Sequence, residues 1–395
     1  MKKLVSILGS TGSIGLSTLQ IFKKKKKLFR INLLAADRNY KLICEQIIEL
    51  KPKVFLINDK KIYEKIREKF KKKNVIIINK LKSKKMLFNK SDITIAAIPG
   101  LAGLEPTIEM IKKSKKILIA NKESVICGWN LIKKIAFKNK TRIIPLDSEH
   151  FSIMKLLENQ NLNSIKKIYL TASGGPFLNY KISKMKNIKP HQALKHPKWK
   201  MGKKISIDSA TLMNKMFELI EAQKLFSINS EKIEIVIHPE SLIHAIIEQK
   251  NGLLKFIYHE TTMLIPIANA IFDDDVEISD FINPKTISKK SIFFQKLNFA
   301  KVDEKKFPVI KLKKKLDKYH STPIILNAAN EILVDQFLKK RIAFNDFYKY
   351  LMLVLKDRNY KKYAIRIPKK TSQIYKIDEW SRKTVFDKIK PNKYG

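Results

Sequence analysis

A chain of 395 residues, 44% of them hydrophobic, is too long for one hydrophobic core and too apolar to be intrinsically disordered, so we expect two or three folded domains. Its 81 Lys and Arg residues outnumber 36 acidic residues, giving a formal net charge of +45. No apolar run approaches the ~20 residues of a membrane helix, and the run after Met1 ends at Gly9, too early for a signal peptide. Because there are only two cysteines, Cys44 and Cys127, we expect a reducing, cytoplasmic location.

The high positive charge admits two interpretations. A basic stripe would bind nucleic acid by neutralising phosphates, whereas lysines that replace neutral polar residues over the whole surface would bind no particular partner. Only eight of the basic residues are Arg, the better bidentate ligand for phosphates and bases. Because the lysines also form no single basic arm, we expect no nucleic-acid partner and no membrane partner. The charge can still speed the approach of anionic substrates.

Residues 1–147 alternate short apolar runs with longer amphipathic ones. This alternation predicts a parallel sheet with crossover helices, that is, a Rossmann-like domain, with helices at Leu42–Leu50 and Tyr63–Lys71. The predicted strands are Leu4–Leu8, Ile31–Ala36, Val54–Ile57, Val75–Ile78, Ile93–Ile98, Ile117–Ala120 and Arg142–Leu146.

The rest of the chain predicts two further domains, which makes the whole an α/β protein. Residues 148–272 indicate a central α+β domain with a helix at Thr211–Leu225 and strands at Ile165–Ala172, Ile233–His238 and Leu253–Tyr258. Residues 273–300 begin with three aspartates and predict a linker. Residues 301–395 predict a C-terminal helical bundle with helices at Pro323–Leu338, Phe344–Leu355 and Glu379–Ile389.

A glycine-rich turn, GSTGSIG at residues 9–15, follows the first predicted strand and opens a helix. Glycines let the backbone turn tightly and approach a pyrophosphate, and the start of the helix offers N–H groups to it. The spacing of Gly9, Gly12 and Gly15 is not that of the commoner dinucleotide fingerprint, so a turn without a ligand is the alternative. The strand–turn–helix context favours nucleotide binding.

The second strand ends in Asp37, Arg38 and Asn39. An acidic residue at this place favours the ribose 2′-hydroxyl of NAD, and an arginine favours the 2′-phosphate of NADP. Both are present, and an ion pair on the surface would also explain them. We favour NADP, because Arg38 can bind a phosphate with two nitrogens while Asp37 turns away.

Two carboxylates, Asp147 and Glu149, follow the last strand of the first predicted domain. If the strand geometry persists, they project to the same side, at the sheet edge where α/β folds bind ligands. Carboxylates that meet there repel each other unless a cation lies between them, and Mg²⁺ or Mn²⁺ suits such oxygen ligands. A solvated strand end is the alternative interpretation.

A dense polar stretch lies further along the chain. On a helix that begins near Ser209, Asn214 and Glu218 share a face and Lys215 neighbours Glu218. Ser209 would cap that helix, and the hydroxyl, the amide and the ammonium would together form a phosphate site, although Lys215 could also be an ordinary surface lysine. Trp199 and Met201 stand between glycine and proline breaks and predict either a mobile lid or core packing. The turn TASGGPF at residues 171–177 could also present N–H groups to an anion.

These segments together resemble the 1-deoxy-D-xylulose 5-phosphate reductoisomerase family. The matching stretches run in order along the chain: GSTGSIG at 9–15, ANKES at 120–124, LDSEH at 146–150, SGGPF at 173–177, HPKWKMG at 196–202, ISIDSATLMNK at 205–215, IHPESLIH at 237–244 and LNAANE at 326–331.

The resemblance implies a homodimeric enzyme that rearranges 1-deoxy-D-xylulose 5-phosphate and reduces the product with NADPH, with Mg²⁺ or Mn²⁺ as the metal. It implies that Asp147, Glu149 and Glu218 bind the metal and that Lys122 acts with them. It implies substrate contacts from Lys122, Ser148, Glu149, Ser173, His196, Trp199, Ser209, Asn214, Lys215 and Glu218, with Met201 closing over the site. It implies cofactor contacts from Ser10, Thr11, Gly12, Ser13, Ile14, Asp37, Arg38, Asn39, Asn121, Lys122, Glu123, Gly202 and Met263.

Three residues depart from the family pattern. Met216 stands where many relatives carry glycine, Leu264 stands where a basic residue is expected, and Asp37 accompanies the expected arginine. Two rival functions are open at this point. A different metal-dependent NAD(P) oxidoreductase of sugar phosphates would have no reason to carry both LDSEH and HPKWKMG, and a nucleic-acid-binding protein would need a clustered basic face.

Overall fold

The computed structural model describes residues 2–81, 89–199, 201–282 and 296–389. Contacts within the chain divide it into two units. The first contains residues 1–124, 130–151 and 262–289, and the second contains residues 125–129, 152–261 and 290–395. Within the described ranges, no helix has both the length and the apolar character that crossing a membrane requires.

The strands are β1 (Lys3–Leu8), β2 (Phe29–Ala36), β3 (Val54–Ile57), β4 (Ile76–Ile78), β5 (Ser91–Ala96), β6 (Ser114–Ile119), β7 (Arg142–Pro145), β8 (Ile165–Ala172), β9 (Ile233–Ile237), β10 (Ile243–Gln249), β11 (Leu254–Tyr258) and β12 (Ala300–Lys301).

The α-helices are α1 (Ser13–Lys24), α2 (Tyr40–Leu50), α3 (Lys60–Lys69), α4 (Leu104–Ile111), α5 (Lys122–Asn139), α6 (Ser148–Leu157), α7 (Pro190–Ala193), α8 (Lys203–Ala210), α9 (Met213–Phe226), α10 (Leu264–Phe272), α11 (Lys313–Leu316), α12 (Thr322–Leu338), α13 (Asp346–Leu355), α14 (Tyr360–Ala364) and α15 (Thr371–Ile389).

The first unit is built on a seven-stranded sheet in the order β4-β3-β2-β1-β5-β6-β7, with every neighbouring pair parallel. The chain extends the sheet from β1 in one direction and then, from β5, in the other. The switch point of this doubly wound order lies at the carboxyl ends of β1 and β5, where α/β proteins bind ligands. The predicted Rossmann-like α/β fold is confirmed.

Helix α10 belongs to the first unit, although we expected residues up to 272 in the central domain and a linker from 273. The Lys116 ammonium on β6 caps this helix, donating to the carbonyls of Ala270 at 2.9 Å and Ile271 at 3.3 Å. It also pairs with Asp273 at 2.8 Å, and Asp273 accepts from Arg142 at 2.9 Å. These charge-assisted bonds satisfy the carbonyls at the end of the helix and hold it to the sheet. Residues 283–295 of the expected linker lie outside the described residues.

The second unit contains a five-stranded mixed sheet in the order β11-β10-β8-β9-β12. Strands β8 and β9 are parallel, and the other pairs are antiparallel. The expected strands β8, β9 and β11 are present. The sequence did not suggest β10, although it lies between β8 and β11 within the sheet, with five of its seven residues buried. Its sequence, IHAIIEQ, interrupts the apolar residues with His244, Glu248 and Gln249, so it shows neither a continuous apolar run nor a strict alternation.

The C-terminal part of the second unit is helical, as predicted. Helix α12 packs against α13 and α15, and its residues are buried on most of its circumference, which explains why its sequence has little amphipathic pattern. Helix α15 begins at Thr371 rather than at the predicted Glu379. The first two turns of this helix are mostly polar, and Ile374 and Ile377 are the buried apolar residues there, so the apolar pattern is short.

Candidate active site

The glycine turn lies at the carboxyl edge of the first sheet, directly after β1. Gly9 turns the backbone with φ of +87°, and a Cβ there would stand 2.6 Å from the carbonyl oxygen of Ala97. A Cβ at Gly15 would stand 2.3 Å from the carbonyl oxygen of Gly9. Only glycine fits these positions, so the turn packs tightly under the start of α1. Gly12 and Ser13 are exposed and accessible to a ligand at the N–H groups of the helix start.

The other predicted cofactor residues of the turn differ in their surroundings. Thr11 and Ile14 are half-buried. Ser10 is fully buried, and its hydroxyl donates to Gln46 Oε1 at 2.7 Å while Gln46 Nε2 donates to the Ser10 carbonyl at 3.0 Å. The Ser10 side chain therefore bonds the turn to α2 and does not point toward a cofactor.

The end of β2 places Asp37, Arg38 and Asn39 on the surface. Asn58 Nδ2 donates to Asp37 at 3.0 Å, and the guanidinium of Arg38 is 79% exposed, with Nε 3.4 Å from both Asp37 and Asp59. Asn39 caps α2 by accepting from the Leu42 N–H. The guanidinium is thus accessible to a phosphate but lies beside two carboxylates. Sequence reasoning missed Asp59, which comes two residues after β3 and could have been found because the next strand ends at the same edge of the sheet.

Asn121 and Glu123 flank Lys122 at the start of α5 and are both buried. Asn121 Oδ1 caps the helix by accepting from the Ser124 N–H at 2.6 Å, and its Nδ2 donates to the carbonyls of Ile98 and Gly100. The Asn121 side chain therefore joins the end of β6 to the turn after β5. This arrangement fixes the position of Lys122 at the sheet edge.

The Lys122 ammonium is 3.0 Å from Asp147 Oδ2, and both side chains are largely buried. His150 Nδ1 is 3.2 Å from Asp147 Oδ1, and because a carboxylate only accepts hydrogen bonds, Nδ1 carries the proton. Burial by itself would raise the pKa of Asp147, but the Lys122 charge and the His150 ring hold that pKa well below its usual range. Sequence reasoning gave His150 no role, although it stands three residues after Asp147 on the first turn of α6.

Glu149 stands beside Asp147 at the start of α6. Its backbone N–H donates to Asp147 Oδ1 at 3.2 Å, and its carboxylate accepts from the Ser148 hydroxyl at 2.7 Å. An ionised aspartate and a neighbouring glutamate at the edge of a sheet offer the oxygen donors that Mg²⁺ and Mn²⁺ prefer. These residues therefore fit a divalent cation.

In the second unit, Ser173 and His196 meet at the turn after β8. His196 Nδ1 accepts from the N–H groups of Lys198 at 3.1 Å and Trp199 at 2.9 Å, so its proton is on Nε2, which donates to the Ser173 hydroxyl at 3.0 Å. Burial and then the Lys215 charge lower the pKa of His196 to about 4. His196 is therefore neutral at pH 7 and presents an N–H group rather than a full charge.

Ser209 does not cap the helix that carries Asn214, contrary to our expectation. Ser209 lies in the last turn of α8, the chain breaks at Leu212 with φ of +62°, and α9 begins at Met213. The Thr211 hydroxyl donates back to the carbonyl of Ile207 at 3.1 Å, which closes α8 before the break. A leucine with positive φ has no sequence signature, so this break could not be predicted.

Glu218 on α9 is buried together with Asn214 and Lys215. The Lys215 ammonium is 2.6 Å from one Glu218 oxygen, and the Asn214 amide donates to the other. The prediction that Asn214 and Glu218 share one face of a helix is confirmed. Gly175 of the SGGPF turn packs on α8, because a Cβ on Gly175 would stand 3.1 Å from the Ser209 carbonyl oxygen. The Ser173 turn and the end of α8 are thus in close contact.

The predicted lid residues, and the predicted cofactor residues Gly202 and Met263, lie at element boundaries. Trp199 is half-buried, and its ring meets the ring of His244 edge-on at 6.1 Å. Met201 is half-buried and Gly202 is exposed at the start of α8, whereas Met263 precedes α10 in the first unit. The ring of His244 stacks on the ring of His259, with 3.8 Å between the ring centroids. Sequence reasoning did not identify this pair of histidine rings beside Trp199.

Comparison with known proteins covers nearly the whole chain. Residues 5–128 match the family model for 1-deoxy-D-xylulose 5-phosphate reductoisomerase, and residues 143–226 and 260–384 match models for the C-terminal domains of that enzyme. Enzymes of this name from Pelagibacter ubique and Thermodesulfovibrio yellowstonii are 44% and 39% identical to the chain. The alignments cover 96% and 98% of this chain and 97% and 100% of those proteins.

Solved structures of the same enzyme are similar throughout. A DOX-P reductoisomerase in complex with NADPH, fosmidomycin and magnesium superposes with a TM-score of 0.90 at 32% identity, covering 100% of both chains. The Zymomonas mobilis enzyme in complex with NADPH superposes with a TM-score of 0.87 at 31% identity, covering 99% of this chain and 100% of the other. The chain therefore belongs to the 1-deoxy-D-xylulose 5-phosphate reductoisomerase family.

Proposed function

We propose that this protein converts 1-deoxy-D-xylulose 5-phosphate into 2-C-methyl-D-erythritol 4-phosphate, an early step toward isoprenoid precursors. The reaction rearranges the carbon skeleton to a branched aldehyde phosphate, which is then reduced at the expense of NADPH. One observation carries the proposal. The carboxyl edge of the first sheet holds both an accessible glycine turn of the nucleotide-binding kind and an ionised aspartate paired with Lys122.

We assign Asp147, Glu149 and Glu218 to the divalent cation, in keeping with the family motifs. A bound Mg²⁺ or Mn²⁺ supplies Lewis-acid polarisation of a carbonyl oxygen. Lys122 keeps the Asp147 carboxylate ionised, and the His150 N–H orients it, so that oxygen lone pairs are ready for the cation.

The substrate is bound by two sets of side chains in this proposal. Lys122, Ser148 and Glu149 orient its hydroxyl and carbonyl oxygens. Its phosphate is bound by hydrogen-bond donors that carry no negative charge, namely Ser173, His196, Ser209, Asn214 and Lys215. The neutral His196 donates through Nε2, and Lys215 supplies the charge.

The cofactor and lid assignments complete the proposal. Thr11, Gly12, Ser13 and Ile14 contact the cofactor phosphates at the start of α1, and Arg38 and Asn39 lie near the adenosine ribose. Met263 lies against the nicotinamide. Trp199 and Met201 close over the substrate and exclude water. Ser10, Asn121 and Glu123 are buried, and Asn121 and Ser10 support the cofactor loops through the bonds described above.

We also propose a cytoplasmic homodimer. Cys44 and Cys127 are both buried and neither is in a disulfide, a state that a reducing compartment would preserve. The second sheet exposes large apolar side chains at its edges, with Leu254 61% and Phe256 48% exposed on β11 and Phe299 44% exposed just before β12. They line an open hollow of about 520 Å³ together with Tyr169 and Ile246. A contiguous apolar patch of this kind is typical of an interface, and a second copy of the chain is the occupant that the family resemblance indicates.

The dimer can be tested by sedimentation velocity. Phe256→Lys should convert a wild-type dimer into a monomer, because a charge would have to be buried in the apolar face. Phe137→Lys is the matched control, since Phe137 lies on α5 with 88% exposure and should leave the dimer intact. A monomeric wild type, or a dimeric Phe256→Lys variant, would refute this interface.

The activity itself can be tested by following NADPH oxidation with 1-deoxy-D-xylulose 5-phosphate as substrate. We expect oxidation that requires Mg²⁺ or Mn²⁺, stops with chelator and yields 2-C-methyl-D-erythritol 4-phosphate by mass spectrometry. The same preparation should show no gel shift with duplex DNA at physiological salt. A folded protein that binds NADPH yet gives no product with either metal would contradict the proposed reaction.

The preference for NADPH should depend on Arg38. Arg38→Ala should raise the KM for NADPH by at least about tenfold, the scale of one lost charge-assisted hydrogen bond, and should leave the KM for NADH nearly unchanged. Asp59→Asn should lower the KM for NADPH, because it removes a carboxylate beside the guanidinium while asparagine still caps α3. Arg30→Ala, an exposed arginine at the other end of β2, is the control. Equal effects on NADPH and NADH in steady-state kinetics would exclude this role.

A further inference from the structure

Asp208 on α8 is a carboxylate buried away from solvent, with only 2% of its surface exposed. It accepts a hydrogen bond from the Asn330 amide of α12 at 2.7 Å through Oδ1, and from the Lys204 ammonium at 2.9 Å through Oδ2. Because α12 belongs to the C-terminal helices, this bond joins two segments that are 122 residues apart. The family motifs ISIDSATLMNK and LNAANE therefore meet at one buried hydrogen bond.

The Asn330 amide has a defined orientation. Since a carboxylate only accepts, Nδ2 must face Asp208. Asn330 Oδ1 is then buried without a hydrogen-bond partner in the part of the chain that the structure describes. A buried unpaired amide oxygen lowers stability, so an apolar pair would serve stability better than this amide and carboxylate. Stability alone therefore does not explain why an amide and a carboxylate are paired here.

The element that this pair orients is the last turn of α8. Ser209 follows Asp208 directly, and the Thr211 hydroxyl is within 3.2 Å of the Asp208 carbonyl oxygen just before the break at Leu212. The last turn of α8 also contacts Gly175 of the SGGPF segment, as described above. A shift of α8 along α12 would therefore move Ser209, the Ser173 turn and the start of α9 together.

We propose that Asp208 and Asn330 are positioning residues for the substrate phosphate, through which the C-terminal helices hold the end of α8 in place. This inference rests on the proposed function in that it takes Ser209, Ser173 and Lys215 as the phosphate site. Neither Asp208 nor Asn330 contacts the substrate in this account. Their effect is confined to the arrangement of the groups that do.

The test compares Asn330→Asp, Asp208→Asn and the exchanged pair Asp208→Asn/Asn330→Asp. Asn330→Asp sets two carboxylates against each other and should weaken phosphate binding, whereas the exchanged pair restores one amide and one carboxylate and should recover most of it. Inorganic phosphate is the first probe, titrated while the His196 ring signals are followed by NMR. We expect Asn330→Asp to raise the Kd for phosphate by roughly tenfold or more, the scale of one hydrogen bond to a charged group.

Kinetics provide the second measurement. Asn330→Asp should raise the KM for 1-deoxy-D-xylulose 5-phosphate with little change in kcat or in the Kd for NADPH, and should leave turnover of phosphate-free 1-deoxy-D-xylulose unchanged. Ser381→Ala is the control, because its buried hydroxyl bonds α15 to the Ile325 carbonyl on α12 without touching α8. It should lower the melting temperature while leaving phosphate binding intact.

Each outcome decides a separate claim. Wild-type phosphate affinity in a folded Asn330→Asp variant, or no recovery in the exchanged pair, would overturn the positioning role. If Asn330→Asp does not fold, Lys204→Gln, which removes the partly exposed partner of Asp208, should still weaken phosphate binding, and an unchanged Kd would overturn the role. A wild type without turnover would refute the proposed reaction, and the phosphate titration would still decide whether Asp208 and Asn330 position the site.

Discussion

The ion pair between Lys122 and Asp147 is the interaction on which the chemistry of the first unit depends. A largely buried carboxylate remains ionised only where nearby positive charge and hydrogen bonds offset the loss of hydration. Lys122 supplies the charge at 3.0 Å and His150 supplies an N–H at 3.2 Å. The fold brings them together because β6 and β7 are parallel neighbours, so that the residues after them emerge at the same edge. The sheet thus creates the site before any ligand binds.

In the proposed function the second unit binds the substrate phosphate, and the shape of its backbone places the groups that would bind it. Gly175 allows the turn after β8 to lie on the end of α8, and the left-handed conformation of Leu212 separates α8 from α9. Lys215 is held against Glu218 at 2.6 Å, so its ammonium has a fixed position rather than the freedom of a surface lysine. His196 adds a neutral donor, because burial and the Lys215 charge lower its pKa to about 4.

The sequence predicted the first unit well for a physical reason. Most residues of its parallel strands are buried, so the strands are rich in apolar residues, and β3 was predicted at its observed bounds, Val54–Ile57. Motifs located the chemistry for a similar reason, since Lys122, Asp147 and Glu149 follow strand ends. Strand β10 was not predicted because its sequence, IHAIIEQ, follows neither the alternating nor the continuous apolar pattern of a strand.

Other features depend on tertiary contacts that no local pattern encodes. The fixation of α10 to the first sheet depends on Lys116, which stands more than 150 residues earlier in the chain. The inward orientation of Ser10 depends on Gln46, and the break between α8 and α9 depends on a backbone conformation rare for leucine. The bond between Asp208 and Asn330 likewise joins two motifs whose proximity only the fold reveals.

The most direct test of the account is the binding of Mn²⁺ to the purified protein, measured by isothermal titration calorimetry and by the electron paramagnetic resonance signal of the free ion. We predict one site per chain, with affinity weakened by at least about 10- to 100-fold in Asp147→Asn, Glu149→Gln and Glu218→Gln. Glu158→Gln, just after α6, should bind like the wild type. Wild-type Mn²⁺ affinity in folded Asp147→Asn and Glu218→Gln variants would contradict the account.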